Sequence, residues 1–342
     1  MRIAFVAAPV TALQPAQLGG AQAVACDVAA GLTRRGHDVT LHCAEGSDVP
    51  GVRLVTVPVP ADAEAARVMP GGETPPSTPG VEAAFAAMFE AVRALEPDAV
   101  SQHAFDVPAF ERARGLPVVH TLHLPPILTA VVAAARNVEP RRLAAVSTPA
   151  RRSWSAAGVE AGVLLTNGVP DVEVGFARPE RFAVVAGRIS PEKGLDHALA
   201  AARIAGMPVR IAGAHYDPRY AVDLDGAEML GLLDRVELRR LMASAAVTIC
   251  AARWDEPFGM VAAEAQMAGC PVAAYRRGGL VEVVDDGVGG FLAEPDDVHS
   301  LATAIARCQT LDRTAVRASA VRRFAMDAAL DRYEAALLAS KV

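Results

Sequence analysis

Twice along its length this chain alternates short apolar runs with longer alanine-rich segments, and that rhythm leaves few folds open to it. Apolar runs bounded by Gly, Pro and Asp read as buried strands and the segments between them as helices, the pattern of a doubly wound parallel sheet. In the first half, strands are predicted over 3–8, 38–43, 52–57, 99–102, 117–122 and 143–147, and helices over 21–35, 81–95, 108–114 and 149–157. In the second, strands over 182–186, 208–212, 247–251 and 271–275 alternate with helices over 195–205, 236–245, 259–268 and 280–284, and a final pair of helices follows. Residues 59–80, rich in Pro and Gly, are longer than an ordinary connection and read as a loop over a site.

A length of 342 residues exceeds what one core usually fills, so two domains are expected. The turn-rich stretch 163–174, with Asn167, Gly168, Val169 and Pro170, reads as the hinge, giving domains 1–165 and 166–325. Two such halves predict a cleft between them, and ligands of open parallel sheets bind outside the carboxyl ends of the strands.

Composition removes several classes of function. No apolar run reaches the roughly 18 residues that cross a bilayer, and the apolar start reads as a buried strand rather than a signal peptide. The five cysteines are scattered without metal spacing, so reduced thiols in a soluble, cytoplasmic protein are expected. A net charge of −6 without a basic cluster argues against nucleic acid and leaves small molecules as ligands. Only two of the 33 basic residues are lysines, Lys193 and Lys341, which makes the internal one a residue to explain.

Gly187-Arg188-Ile189-Ser190-Pro191-Glu192-Lys193-Gly194 follows the first strand of the second half. The Arg fork and the Lys point charge at a strand's carboxyl end suit a diphosphate leaving group, against the plainer reading of two solvated surface charges. Further on, Trp254-Asp255-Glu256-Pro257-Phe258-Gly259-Met260-Val261 leads into a helix whose free amides at Gly259 favour a phosphate. Glu264 sits in that helix among Ala, Val and Met, where an ionised carboxylate is costly unless paired; ribose hydroxyls would serve it, and Glu256 would hold sugar hydroxyls. His120 and His123 end a strand of the first half, either as core histidines or as hydrogen-bond partners of a sugar or acceptor. Gly19-Gly20 lets backbone approach a ligand but is not a dinucleotide fingerprint, which weakens a dehydrogenase. Asp223-Leu224-Asp225 has the form of a metal-binding DxD, a pattern common in polar loops, and no metal site is expected.

These motifs, in this order, resemble retaining glycosyltransferase family 4, with the GT-B fold: two Rossmann-like α/β domains facing a cleft. The family's E-x7-E signature matches Glu256 to Glu264, its basic pair Arg188 and Lys193, its interdomain NGV Asn167 to Val169, and its glycine loop and sugar-side histidine Gly19-Gly20 and His123. The stretch from Arg277, RGGLVEVVDDGVGG, looks like the family's loop and helix after the signature. The resemblance implies Arg188 and Lys193 on the diphosphate and Glu264 on the ribose. It places Glu256, with Phe258, Gly259, Met260 and Val261, on sugar and phosphate, and His123 at the sugar. It implies no cofactor beyond a nucleotide diphosphate sugar donor (UDP, dTDP or GDP), no metal, and front-face displacement without a protein nucleophile. It also implies that the last helix, 326–342, crosses back to the first domain. The chain's compactness and the stretch Ile211 to Asp217 look like actinobacterial antibiotic-pathway members such as the avilamycin glycosyltransferase, with a small-molecule acceptor. A nucleotide-sugar-binding module without transfer and a nucleotide-sugar epimerase are the competing readings; a pyridoxal phosphorylase lacks a spare lysine. Neither base, acceptor nor oligomeric state is written in these motifs.

Overall fold

A computed structural model describes residues 1–14, 19–64, 77–172, 174–175, 179–216 and 219–341. Closeness in space divides it into two compact units, one built on Met1–Pro15, Ala21–Thr166 and the chain from Asp327 onward, the other on Ala16–Gly20 and Asn167–Met326. Much of the predicted loop 59–80, and Asp217, lie outside the described residues.

The first unit holds a sheet of seven described strands: β1 (Arg2–Val6), β2 (Asp38–Ala44), β3 (Arg53–Val57), β4 (Ala99–Gln102), β5 (Val118–Leu122), β6 (Leu143–Ala145) and β7 (Val163–Leu164). Their order is β3-β2-β1-β4-β5-β6-β7 and every pairing is parallel. Such strands are buried on both faces, which is why they read as continuous apolar runs rather than alternating ones. Phe85, Met88, Phe89 and Val92 of helix Pro79–Ala94 cluster with Val6, Val100 and Val118, and Trp154 with Leu122, Leu143 and Phe110. Each such fully buried side chain stabilises by about 1.5–3 kcal/mol. β7 begins inside the stretch expected to be all turn, so its first two residues extend the sheet.

The second unit holds β8 (Ala183–Ala186), β9 (Val209–Ala212), β10 (Ala227–Gly231), β11 (Val247–Cys250), β12 (Val272–Tyr275) and β13 (Gly290–Ala293), in the order β10-β9-β8-β11-β12-β13. All these pairs are parallel. β10 and β13 were not expected from the sequence. The chain order turns at β8 and β11, and these two pair only through Ala183↔Val247 and Val184↔Thr248 before they part. Their carboxyl ends therefore open a crevice at the topological switch point.

Among the described residues three helices, not two, follow the last strand's carboxyl end toward the end of the chain: Val298–Cys308, Arg313–Phe324 and Met326–Ala339. Extended backbone at Ala325 (ψ 130°) separates the last two. From Asp327 the last helix packs within the first unit. Leu330 lies against Gly31 of helix Gly20–Arg34, where a Cβ would come within 2.7 Å of the leucine methyls. Arg35 meets Asp327, Asp331 and Glu334 on its outer face. Among the described residues no helix is long and apolar enough to cross a membrane.

Candidate functional site

The two loops that leave the switch point of the second unit carry Arg188 and Lys193, after β8, and Trp254 to Glu256, after β11. They are tied together by backbone. Arg253 N donates to Glu192 O at 2.9 Å. Gly194, at φ 64°, sits so close to Ala251 that a Cβ would lie 2.1 Å from its carbonyl oxygen. Only glycine satisfies both the left-handed backbone and the close approach, which explains the residue after Lys193.

Their side chains form two ion pairs. Lys193 Nζ donates to Glu256 Oε2 at 2.6 Å, and Trp254 Nε1 donates to the same oxygen at 2.9 Å. Burial pushes the Glu256 carboxyl up, but Lys193, the Trp254 bond and Arg188 together outweigh it and hold it below its ordinary value, so it is ionised at neutral pH. Arg188 Nη2 lies 3.3 Å from Glu192 Oε1, which also accepts from Ser190 Oγ at 2.7 Å, and the guanidinium sits 4.8 Å over the Tyr216 ring. The two cations expected to face a diphosphate thus each already have a carboxylate. A ligand phosphate competes with Glu192 and Glu256 for them, and the matched charges keep the crevice from holding an uncompensated ion when empty.

Beside the pairs, helix Met260–Met267 opens at Gly259, which has φ 102° and offers no side-chain cap, so the amides of the first turn have no capping oxygen. Met260 and Val261 are its first two residues and the buried Phe258 precedes it. The loop from Trp254 to Gly259 is shaped from the other side by a glycine pair that the sequence reading passed over as site formers. A Cβ on Gly278 would lie 2.4 Å from Glu256 O, and one on Gly279 would lie 2.6 Å from Phe258 Cα. The doublet in Arg276-Arg277-Gly278-Gly279 was its visible signal.

Glu264 has a protein partner that its apolar sequence surroundings do not reveal: Arg239 of helix Arg235–Ser244 places Nη2 3.0 Å from Oε1. The contact is an ion pair without well-directed hydrogen-bond geometry, and the Arg239 side chain is 2% exposed. Asp223 of the DxD stretch accepts the Asp225 amide at 3.0 Å and pairs with Arg203 at 3.2 Å, which accounts for it as a turn.

In the first unit the strand order turns at β1 and β4. Gly20 is the first residue of helix Gly20–Arg34 and Gly19 precedes it; both group with the second unit. His123 follows β5, buried, with Nε2 2.8 Å from His103 Nδ1; His103 Nε2 in turn lies 2.8 Å from Ser101 Oγ. Burial lowers His123 to about 4 and pushes His103 well below the usual histidine range. His120 instead stacks on Phe110, ring centres 4.6 Å apart and planes within 6°, with its value lowered to about 3 by burial and then by Arg142. His103 was missed because one histidine after an apolar strand looks like core; its position at the end of β4, next to β5, was the signal.

Comparison with known proteins follows this division. Residues 18–171 match the model of Glycosyltransferase Family 4, and residues 171–320 that of Glycosyl transferases group 1. Each half thus resembles a glycosyltransferase domain: the first match spans His103 and His123, the second Arg188, Lys193, Glu256 and Glu264. The D-inositol 3-phosphate glycosyltransferase of Mycolicibacterium smegmatis is 36% identical over 153 residues, 41% of this chain and 34% of that relative, so the match spans about a third of the relative's length. Among solved structures, Anabaena Alr3699/HepE in complex with UDP and glucose superposes with a TM-score of 0.73 over 98% of this chain and 99% of that one, at 20% identity. AviGT4, a glycosyltransferase involved in avilamycin A biosynthesis, gives 0.69 over 98% and 96%, at 23% identity. These likenesses show that the chain has the GT-B fold.

Proposed function

We propose that the chain transfers a glycosyl group from a nucleoside diphosphate sugar to a hydroxyl of a small-molecule acceptor, with retention and without a catalytic metal. The observation that carries this reading is the meeting of Arg188, Lys193 and Glu256, held on two loops of one switch point, beside the uncapped helix start at Met260. Arg188 and Lys193 take the diphosphate, exchanging carboxylate partners for phosphate oxygens, and the amides of Met260 and Val261 take the distal phosphate. Glu256, released from Lys193 and fixed by Trp254, accepts from sugar hydroxyls. Glu264, oriented by Arg239, takes the ribose, Gly19 and Gly20 leave room for backbone to approach, and His123 meets the sugar. The acceptor oxygen bonds to the anomeric carbon on the face from which the phosphate leaves, and its proton passes to the leaving phosphate.

UDP in the Anabaena relative supports a UDP donor ahead of dTDP and GDP, and AviGT4 supports a secondary-metabolite acceptor. The test is incubation of the full chain with UDP-, dTDP- and GDP-sugars and hydroxylated acceptors in EDTA, with the anomeric coupling of the product read by NMR. An α-linked donor giving an α-linked product supports the proposal. An inverted product, a strict metal requirement, or conversion of the donor to an epimer without acceptor contradicts it.

A further inference from the structure

We infer that Ser101 and His103 lock His123 in its Nδ1–H tautomer, so that His123 meets a ligand with an N–H donor and not with a lone pair. Ser101 lies in β4 at 0% exposure, and among the described residues its Oγ has a single hydrogen-bond partner, His103 Nε2, at 2.8 Å. A hydroxyl has one proton to place, and a buried donor without an acceptor is a costly defect. Ser101 therefore donates to His103 Nε2, which leaves the His103 proton on Nδ1. That N–H points along the 2.8 Å contact to His123 Nε2, which must accept, and the His123 proton is on Nδ1. The opposite polarity, from His123 Nε2–H through His103 to Ser101, makes the same two contacts but strands the serine proton.

The ring geometry fits a hydrogen-bonded chain. The His103 and His123 planes lie within 23° and their centres are 5.0 Å apart, the arrangement of two rings bonded edge to edge through one N···N contact rather than laid face on face. Phe5 and Tyr333 run nearly parallel to His103, at 15° and 14°, and hold its plane. Burial keeps both rings neutral at neutral pH, so neither sets N–H against N–H.

The consequence for catalysis rests on the proposed place of His123 beside the sugar; the tautomer itself does not. With Nδ1 protonated, His123 donates a hydrogen bond to an oxygen of the ligand and has no free lone pair with which to act as a base, in keeping with a proton that leaves on the phosphate. Ser101 and His103 are positioning residues.

Long-range proton–nitrogen correlation spectra of the histidine-labelled full chain, without donor or acceptor, test the lock. Wild type is expected to show a pyrrole-type Nδ1 and a pyridine-type Nε2 at both His103 and His123. Ser101→Ala should mix or reverse the tautomers, and Ser101→Thr, which keeps the hydroxyl, should restore them. A protonated Nε2 on wild-type His123, or tautomers unmoved by Ser101→Ala, overturns the inference. In transfer assays Ser101→Ala should lower kcat by the fraction of His123 lost from the Nδ1–H form, about 2-fold to 10-fold. An altered tautomer with unaltered kcat overturns the role given to His123, and leaves the proposed transfer itself standing.

Discussion

Alanine at position 264 would leave a buried guanidinium without the carboxylate that faces it. Arg239 is 2% exposed and Glu264 15%, so neither charge is relieved much by water, and they face one another at 3.0 Å. Removing one member of such a pair costs about 3–5 kcal/mol, whereas replacing both by apolar residues of similar volume is near neutral. For a unit of this size each kcal/mol moves the melting midpoint by about 2–4 °C, so Glu264→Ala should melt roughly 6–20 °C below wild type. Arg239→Met combined with Glu264→Leu should recover most of that loss. Calorimetry of the three proteins without ligand reads the effect, and a nucleotide titration of the double variant then reads any part Glu264 has in binding, free of the stability change. If Glu264→Ala melts within about 2 °C of wild type, the ion-pair reasoning is wrong and Glu264 is held for ligand alone.

Three further outcomes are expected. Lys193→Ala should lower kcat/KM by about 30-fold to 1000-fold, the equivalent of about 2–4 kcal/mol of leaving-group stabilisation, with an unchanged circular dichroism spectrum; wild-type turnover would remove Lys193 from the site. Stability of the first unit should fall on mild acidification. His42, His123 and His120 have folded values of about 4, about 4 and about 3 against an ordinary 6.5, so below pH 6.5 the unfolded chain binds protons that the folded chain refuses. Each such histidine should remove about 1.4 kcal/mol per pH unit until its folded value is reached, and a urea midpoint flat between pH 7 and 5 would contradict this. Glu256 acts in the same direction but in a lower window. Its lowered value contributes stability that is present above 4.5 and is lost as pH falls through the folded value, so a Glu256→Gln variant should lose less stability than wild type below pH 4.5 and track it across the histidine window.

Apart from the edge strand β3, the strands that were legible in the sequence are the inner, buried ones, where continuous apolar runs leave little alternative. The strands that were not are at the edges. β10 reads Ala-Glu-Met-Leu-Gly with Met229 39% exposed, and β13 is a glycine-flanked four-residue run. Gly290 there is required by approach, since a Cβ would lie 1.9 Å from Val272 O, yet glycine in a sequence reads as a break. The site shows the same division. Residue types and their order after β8 and β11 pointed to Arg188, Lys193 and Glu256, because those loops are local to their strands. What each charge faces was not legible. The Lys193–Glu256 and Arg239–Glu264 pairs join residues distant in sequence, and such contacts are set by strand order rather than by spacing. The Ser101–His103–His123 chain was hidden for the same reason, being formed across β4 and β5.

The central claim is that the crevice between β8 and β11 holds a nucleoside diphosphate, and the most direct measurement is a thermal-shift and calorimetric screen of UDP, dTDP and GDP with their sugars, on the full chain, in EDTA. One of these nucleotides is expected to raise the melting midpoint; at 100 times its Kd the stabilisation is about 2.7 kcal/mol, or roughly 5–11 °C for a unit of this size. Lys193→Ala should erase the larger part of that rise. A folded protein whose midpoint none of these ligands moves would contradict the assignment of Arg188, Lys193 and Glu256 to a donor site.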